Sequence, residues 1–272
     1  MSELNKLRSL KMKGAIRALI YGPPKIGKTT LASEFPSPVF LQFEDGQNAT
    51  SETVGWSRED LQTFDDVTDK LRSLYEEPHD FKTLVIDNIS RLQWIVWAET
   101  CKRGDDKKAN VANIEEFGYG KGYTYALYIW QELLDGMNAL RSERGMHIIL
   151  LGHSRVEKFD DPDSVSYDRY EIDLHKAAVK LFEREMDAIL LIKQDVSVKE
   201  QDGGFNKKRA IGEGFNRFIH CAPRPAFIAG NRLGLPAKVQ FVAGKGFTAL
   251  EPYLPAANAP DALKPVPATE TE

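Results

Sequence analysis

GPPKIGKT, residues 22–29, is the stretch that decides the fold of this 272-residue chain. It matches GxxxxGK[ST], and it lies between a short apolar segment, residues 15–21, and a predicted helix that begins at Lys28. A glycine-rich loop between a strand and a helix turns backbone N–H groups toward phosphate, and its lysine reaches the β and γ oxygens. The predicted nucleotide-binding residues are Gly22, Pro23, Pro24, Lys25, Ile26, Gly27, Lys28, Thr29 and Thr30. Variable positions of such loops usually point outward, so Lys25 receives no chemical role.

A carboxylate for the metal that accompanies the phosphates is expected on a neighbouring strand. The apolar segment TLVID, residues 83–87, ends at Asp87, and parallel sheets bind their ligands at the carboxyl ends of the strands. The Thr29 hydroxyl is expected to ligate the same ion. The sequence therefore predicts a nucleoside triphosphate with Mg²⁺, held by Thr29 and Asp87.

The residue that polarises the attacking water is less direct to find, because Asn88 and not glutamate follows Asp87. We favour Glu44, which ends the strand segment VFLQFED, with Asp45 as the competing choice. His153 ends the apolar segment HIILLGH. If that strand neighbours the strand of Asp87, His153 is expected beside the γ-phosphate, where a hydrogen bond would report hydrolysis.

The rest of the chain alternates apolar strand segments with helical patterns. Continuous apolar strands between helices predict an α/β fold, with a mostly parallel sheet covered by helices on both faces, and strand-like segments after residue 188 predict a C-terminal β-hairpin region. We predict a basic extension at 1–13, one domain at 14–255 and a disordered Pro/Ala-rich tail at 256–272.

Composition excludes several classes of protein. Hydrophobic residues make up 42% and charged residues 28% of the chain, which argues against wholesale disorder. The longest apolar runs are about five residues, too short for a membrane span, and no secretory signal precedes residue 14, so we expect a cytoplasmic protein without membrane contact. The net charge of −4 argues against coating duplex DNA. Two basic regions, residues 1–30 and 193–238, leave room for local polyanion binding.

A family resemblance joins these motifs. The displaced Glu44, GYGKGY at 118–123, LLGHS at 150–154 and NRLGLP at 231–236 resemble the RecA-like P-loop NTPase core of phage nucleotide-binding proteins, most of all the Sak-type single-strand annealing ATPases. The likeness covers about residues 14–254. It implies ATP as the nucleotide and places the catalytic glutamate on the strand after the phosphate-loop helix, where Glu44 lies.

The resemblance also implies partners. RecA-like proteins work as rings or filaments in which a basic residue of the neighbouring subunit completes the ATP site. Arg232 matches one such position, whereas Gly230 occupies the other, so a single arginine is expected to act in trans. The expected catalytic set is thus Lys28, Glu44, Asp87, His153 and Arg232. Single-stranded DNA and a single-strand-binding protein are the other implied partners, in a host cell cytoplasm if the chain is phage-encoded.

The expected DNA contacts lie in two places. A loop at 102–122 combines cations with an aromatic side chain, which suits single strands. The family's second DNA loop would follow His153, but residues 154–173 carry seven acids against three bases, which weakens a RecA-style second loop. A predicted hairpin tip near residue 208 would substitute for it. The candidate DNA-binding residues are Arg103, Lys107, Lys108, Tyr119, Lys121, Lys207, Lys208 and Arg209.

Four functions remain open at this point. The first is an Mg²⁺/ATP-dependent protein that acts on single-stranded DNA in phage recombination or replication. The second is a nucleotide-gated switch for a protein partner, such as a helicase loader or scaffold, which the acidic body favours. A small-molecule kinase would need an arginine-bearing lid that is not visible. A GTP switch would need an [NT]KxD pattern, of which IKQD at 192–195 is an incomplete copy.

Overall fold

The computed structural model describes residues 14–45, 53–105, 109–161, 165–195, 197–202, 208–213 and 216–255, and for 197–202 and 208–213 we describe the backbone alone. The predicted extension at 1–13 and the predicted tail at 256–272 lie outside these residues. The same is true of Lys107, Lys108 and Lys207.

The strand before the phosphate loop, β1 (Arg17–Gly22), lies inside the main sheet and divides its side chains between two cores. Leu19 and Tyr21 belong to one buried cluster, and Ala18 and Ile20 belong to the other. A strand that is buried on both faces needs apolar residues at successive positions. That requirement explains the continuous apolar run that precedes the loop.

Helices and strands alternate along the chain as predicted. The further strands are β2 (Pro38–Gln42), β3 (Val54–Trp56), β4 (Thr83–Asp87), β5 (His147–Phe159), β6 (Tyr167–Ile172), β7 (Ala188–Gln194), β8 (Ser197–Asp202), β9 (Lys208–Glu213), β10 (Arg217–His220), β11 (Gly230–Asn231) and β12 (Lys238–Phe241). The helices are α1 (Lys28–Ser33), α2 (Phe64–Glu76), α3 (Ile89–Arg103), α4 (Lys121–Glu143), α5 (Lys176–Glu185) and α6 (Gly246–Leu250).

The main sheet has the strand order β12-β10-β7-β1-β5-β4-β2-β3 in the described part of the chain. The six strands from β7 to β3 run parallel, whereas at one end β10 pairs antiparallel with β7 and β12 pairs antiparallel with β10. Because β5 lies between β1 and β4, the strand that leads to His153 neighbours both the phosphate-loop strand and the strand of Asp87. The sequence analysis placed His153 beside the γ-phosphate only on the condition that its strand neighbours the strand of Asp87. The pairing of β4 with β5 confirms that the two strands are neighbours.

Helices cover both faces of the sheet. Buried residues of α2, α3, α4 and α5 join one core, whereas those of α1 and α6 join the other. The predicted α/β fold with a mostly parallel sheet between helical layers is therefore confirmed. No helix among the residues described here has the length and apolarity that a bilayer crossing requires.

The segment after His153 differs from the prediction. We expected an acidic loop at 154–173, but β5 continues to Phe159 and pairs with β6 as an antiparallel hairpin. The cause lies in the order of the charges, which the net charge hides. Arg155 faces Glu171, Glu157 faces Arg169 and Lys158 faces Asp168 across the two strands. Opposite charges that face each other across strands stabilise a hairpin, so the acidic composition does not prevent pairing.

The other irregular stretches are also more ordered than expected. The predicted loop at 102–122 is shorter, because α3 continues through Arg103, a 3-10 helix spans Ile114–Phe117 and α4 begins at Lys121. Near the C-terminus, β8 and β9 form the predicted hairpin, inserted between β7 and β10. Lys208 and Arg209 lie at the start of β9 rather than at the tip.

Candidate functional site

The phosphate loop holds its lysine inside the fold. Lys28 is 7% exposed, and its Nζ donates hydrogen bonds to the carbonyl oxygens of Gly22 and Pro23, each at 2.9 Å. Among the described residues it makes no ion pair. Burial lowers the pKa of Lys28 to about 8, against smaller upward contributions from Asp87 and Glu44. A buried ammonium group that is bound by carbonyl dipoles alone is prepared to receive an anionic ligand.

The loop conformation depends on a glycine. Gly27 caps α1 with φ at 110°, in the left-handed region that favours glycine. A Cβ at this position would lie 2.7 Å from a ring carbon of Phe241 and 2.8 Å from Nη1 of Arg217. The loop is thus packed against two side chains from the antiparallel end of the sheet, and no larger residue fits at Gly27.

Arg217 is a residue of the site that the sequence analysis missed. Its Nη1 donates a 3.0 Å hydrogen bond to the carbonyl oxygen of Ile26, and its guanidinium lies 4.8 Å from the ring centroid of Phe241. These contacts fix the tip of the phosphate loop from outside. Arg217 lies in the basic region at 193–238, but nothing in its neighbourhood connects it to a loop nearly two hundred residues earlier.

The predicted metal residues lie together, with Asp87 at the carboxyl end of β4 and Thr29 in the first turn of α1. Thr29 Oγ1 donates a 2.8 Å hydrogen bond to Oδ2 of Asp87, and burial raises the pKa of the Asp87 carboxyl despite this bond and the nearby Lys28. A hydroxyl and one carboxylate fit Mg²⁺, which takes oxygen ligands and keeps several waters beside the substrate phosphates. Among the described residues no cluster of three or more His, Cys, Asp or Glu side chains could hold a metal by itself.

Three polar residues meet beside this pair. Nε2 of His153 lies 3.1 Å from Oε2 of Glu44 and 3.1 Å from Nδ2 of Asn88. Asn88 caps α3, since its Oδ1 accepts from the N–H of Arg91 at 3.0 Å, and this bond turns the amide nitrogen toward the histidine. The N–H of His153 donates to Ser90 Oγ at 3.1 Å, which anchors the strand at this point.

Glu44 and Asn88 place opposite demands on one ring nitrogen. A protonated Nε2 can donate to Glu44, whereas an unprotonated Nε2 can accept from Asn88, and the nitrogen cannot satisfy both partners at once. The competing choice for the catalytic carboxylate, Asp45, points elsewhere: its side chain is largely exposed and pairs with Arg58 at 3.3 Å. The structure therefore brings Glu44 to the site and leaves Asp45 in solvent.

Arg232 lies far from the phosphate loop of its own chain. It follows β11, which pairs with the first residues of β7, at the edge of the sheet opposite the loop. Its backbone N–H donates to the carbonyl of Asp187, and its guanidinium donates to the carbonyl of Arg184 at 3.2 Å. With Asp187 and Glu183 it lines a cavity of about 240 Å³. The fold does not bring Arg232 to the nucleotide site of the same subunit.

The candidate DNA-binding residues differ in exposure and in whether other side chains already hold them. Arg103 is engaged, because its guanidinium contacts Glu99 at 2.8 Å and Glu132 at 2.6 Å. Tyr119 is fully exposed, and Lys121 is exposed at the first turn of α4. The remaining candidates lie outside the described residues or on β9, where we describe the backbone alone.

A comparison with protein families settles the class of the chain. The family model described as AAA domain matches residues 15–233, which is most of the sequence and includes the phosphate loop, Glu44, Asp87 and His153. The chain belongs to this family. The AAA domain is a class of nucleotide-dependent ATPase, so the predicted phosphate-loop ATPase class is confirmed at this level.

Comparisons with individual proteins add less. Among 202 matching chains of solved structures is a crystal structure of the RadB recombinase, which aligns with 13% identity and a TM-score of 0.42 over 76% of this chain and 80% of that chain. No curated protein matches the sequence.

Proposed function

We propose that this AAA domain hydrolyses ATP with Mg²⁺ and couples hydrolysis to single-stranded DNA. One observation carries the first part: Lys28, the Thr29–Asp87 pair and the Glu44–His153 pair converge at one edge of the sheet. These groups supply a cation for the phosphates, oxygen ligands for a metal and a carboxylate for water, which together are the requirements of phosphoryl transfer.

Each residue has a definable part in the reaction. Lys28 pairs with the β and γ oxygens, and bound Mg²⁺ would neutralise charge on the same phosphates from the side of Thr29 and Asp87. Glu44 accepts a proton from the attacking water as the water oxygen bonds to the γ-phosphorus. The bond between the γ-phosphorus and the bridging oxygen breaks, and its electron pair stays on the β-phosphate.

His153 and Asn88 provide the readout of this reaction. When the Glu44 carboxylate binds water or product, it no longer accepts a hydrogen bond from Nε2 of His153. The ring nitrogen, once unprotonated, can then accept a hydrogen bond from Nδ2 of Asn88 instead. Because Asn88 begins α3 and His153 begins the hairpin of β5 and β6, the exchange acts on both elements. We propose that this exchange transmits the state of the nucleotide.

The finer assignment follows the resemblance to Sak-type annealing ATPases. It supports a role in phage recombination or replication, with single-strand annealing as the activity and a single-strand-binding protein as a partner. The exposed Tyr119 and Lys121 support a contact with single strands. The position of Arg232 at the opposite edge of the sheet supports a ring or filament, in which it would serve the site of the next subunit.

The test is ATP turnover with and without a single-stranded oligonucleotide, measured on the wild type, Lys28→Ala and Glu44→Gln. We expect DNA to stimulate the wild type and Lys28→Ala to remove turnover. Glu44→Gln should lower kcat by roughly 10²–10⁴-fold, the usual worth of a general base, while ATP binding persists.

Asp45→Asn is the matched control, since it removes a neighbouring carboxylate that faces solvent. It should retain turnover within about twofold, as surface changes usually do. Normal hydrolysis by Glu44→Gln would show that the catalytic assignment is wrong.

A second candidate is a nucleotide-gated switch for a protein partner. The hairpin of β5 and β6 favours it, because the hairpin continues directly from His153 and its three cations face acids on the opposite strand. Residues 154–173 carry seven acids against these three bases, and a surface with that net negative charge repels nucleic acid and suits a basic protein. Turnover that ignores DNA, together with absence of oligonucleotide binding and co-purification of a replication protein, would favour this reading.

A further inference from the structure

Four aromatic rings form a continuous series across α3, α4 and the N-cap of α5. Trp94 and Trp97 on α3 have ring centroids 5.0 Å apart, Trp97 and Tyr123 on α4 are 5.4 Å apart, and Tyr123 stacks on His175 at 3.9 Å. We call these four residues the aromatic surface. Its outer member, Trp94, is 58% exposed.

An exposed tryptophan in the middle of a helix is unusual, because it leaves a large apolar ring in water. The edge-to-face contact with Trp97 holds the Trp94 ring in place, and Trp97 itself is held against Tyr123. A rigid and partly open aromatic ring loses little conformational entropy when a flat ligand stacks on it. The aromatic surface is therefore built to receive a ligand with a flat face.

The charges around the aromatic surface select the kind of ligand. Arg91 lies one helical turn before Trp94, so the two side chains share a face of α3. Lys121 lies two residues before Tyr123, and Lys176 directly follows His175. This arginine and these two lysines are exposed, and their side chains make no ion pair with any other residue that the structure describes. A carboxylate that contacts the surface, Glu115, accepts the hydrogen bond of the Tyr123 hydroxyl. Cations around stacked rings match the phosphates and bases of a single strand.

The aromatic surface is connected to the nucleotide site through two polar side chains. Asn88, which contacts His153, caps the helix that carries both tryptophans. Gln93, between Arg91 and Trp94 on that helix, accepts a 2.6 Å hydrogen bond from the N–H of His175. A change at the nucleotide can reach the surface through these contacts.

We propose that the aromatic surface of Trp94, Trp97, Tyr123 and His175 binds single-stranded nucleic acid by stacking of its bases, with Trp94 as the main contact. The inference rests on the proposed function and names a binding site for it that differs from the loop residues predicted from sequence. An extended, unpaired strand is required, since the bases of a duplex already stack on each other.

The experiment measures fluorescence anisotropy of a labelled oligodeoxythymidylate of about 20 nucleotides, longer than the site of a single binding module. Trp94→Ala should weaken binding about tenfold, within the range found when a base-stacking aromatic is truncated. Trp94→Phe retains a ring and should recover most of the affinity. The same sequence as a duplex should bind more weakly than the single strand.

Tyr128→Ala is the matched control, because Tyr128 is an aromatic residue of α4 that is 68% exposed and lies outside the series of contacting rings. It should bind the oligonucleotide within about twofold of wild type. Thermal unfolding of each variant checks that the fold is intact. Wild-type affinity in a folded Trp94→Ala variant would overturn the inference.

Two further outcomes separate this inference from the proposed function. A wild type that hydrolyses ATP but binds no oligonucleotide would overturn the inference and the DNA part of the function, and would leave the ATPase part standing. If Trp94→Ala instead changes the mass of the assembly in sedimentation and leaves DNA binding unchanged, the surface is a contact between copies of the chain and the inference is overturned.

Discussion

At the amino ends of its strands the sheet pairs the partly buried Arg17 with Asp187 and Glu185, whereas at the carboxyl ends it buries Lys28 without an ion-pair partner among the described residues. Asp187 is 2% exposed, and its two carboxylate oxygens accept from the backbone N–H and from Nη2 of Arg17. One end of the sheet thus satisfies its charges internally. The other end keeps a cation, and a carboxyl group whose pKa is raised by burial, for something outside the chain.

The difference separates stability from function within one sheet. Buried charges that satisfy each other hold the fold together, and removal of one partner leaves the other uncompensated. Buried charges that await a ligand cost stability until the ligand arrives. Changes at the amino end should therefore alter unfolding, and changes at the carboxyl end should alter binding.

The largest effect is expected from Lys28→Met. Loss of the ammonium group should reduce ATP affinity and turnover at least about a thousandfold, roughly 4 kcal/mol, because no other buried cation of the described loop replaces it. Without nucleotide, the free energy of unfolding should rise by about 1 kcal/mol, since a cation disfavoured by burial has been removed. Calorimetric titration and urea unfolding measure the two effects. A fall in stability would contradict the proposed contrast between the ends.

Asp187→Asn tests the amino end. The free energy of unfolding should fall by about 3 kcal/mol, because Arg17 keeps its charge and loses its carboxylate partner. ATP affinity should not change, since the site lies at the other edge of the sheet. The exposed pair of Arg72 and Asp69 offers the control: Asp69→Asn should change the free energy of unfolding by less than about 0.5 kcal/mol. Equal changes in the free energy of unfolding for Asp187→Asn and Asp69→Asn would contradict the proposed contrast between the two ends of the sheet.

Arg217→Ala should give an intermediate effect at the carboxyl end. The loss of the bond to Ile26 and of the stack on Phe241 should weaken ATP binding about tenfold, roughly 1.4 kcal/mol, because the phosphate loop is less well held. At saturating ATP we expect kcat to stay within about threefold, and Arg217→Lys should recover part of the affinity. A change confined to kcat would mean that Arg217 acts on the reaction rather than on the loop.

The smallest effect is expected from His147 at the amino end. Its Nδ1 accepts from the N–H of Ile16 at 3.2 Å, and burial lowers the pKa of the ring. As the pH falls, the unfolded chain therefore binds a proton at this ring before the folded chain does. The contribution of neutral His147 to the free energy of unfolding is complete above about pH 6.5 and is lost as the pH falls through the lowered pKa. Between pH 6.5 and 5.5 the loss is at most about 1 kcal/mol. Urea unfolding of the wild type should show this loss, and His147→Gln, which keeps an acceptor without titrating, should not.

Much of the nucleotide site could be predicted because its motifs are local. The phosphate loop, Asp87 and Glu44 each lie at or just after the carboxyl end of a short apolar strand, and parallel strands bring such ends together. Arg217 could not be found in this way, because it comes from an antiparallel strand whose place beside β7 depends on the whole sheet. The contact of Nε2 of His153 with both Glu44 and Asn88 was equally hard to predict, because it depends on the register of three neighbouring strands.

The hairpin after His153 shows a different limit. We expected an acidic loop there, whereas the alternation of charges along two strands places opposite charges across from each other. Composition sums charges over a segment and discards their order. The candidate DNA residue Arg103 illustrates the same limit, because a cation counted as available in the sequence is held by Glu99 and Glu132 in the fold.

One continuous strand carries both His153 and the first half of that hairpin, and this gives the nucleotide site a lever arm. The hairpin extends for six residue pairs beyond His153, about 20 Å at the rise of a β-strand. A tilt of about 5° at the histidine would then move the far end of the arm by nearly 2 Å, on the geometry of a strand of that length. A displacement of that size exceeds the tolerance of a hydrogen bond, so the exchange of partners proposed for His153 would be expected to alter contacts at the far end of the hairpin.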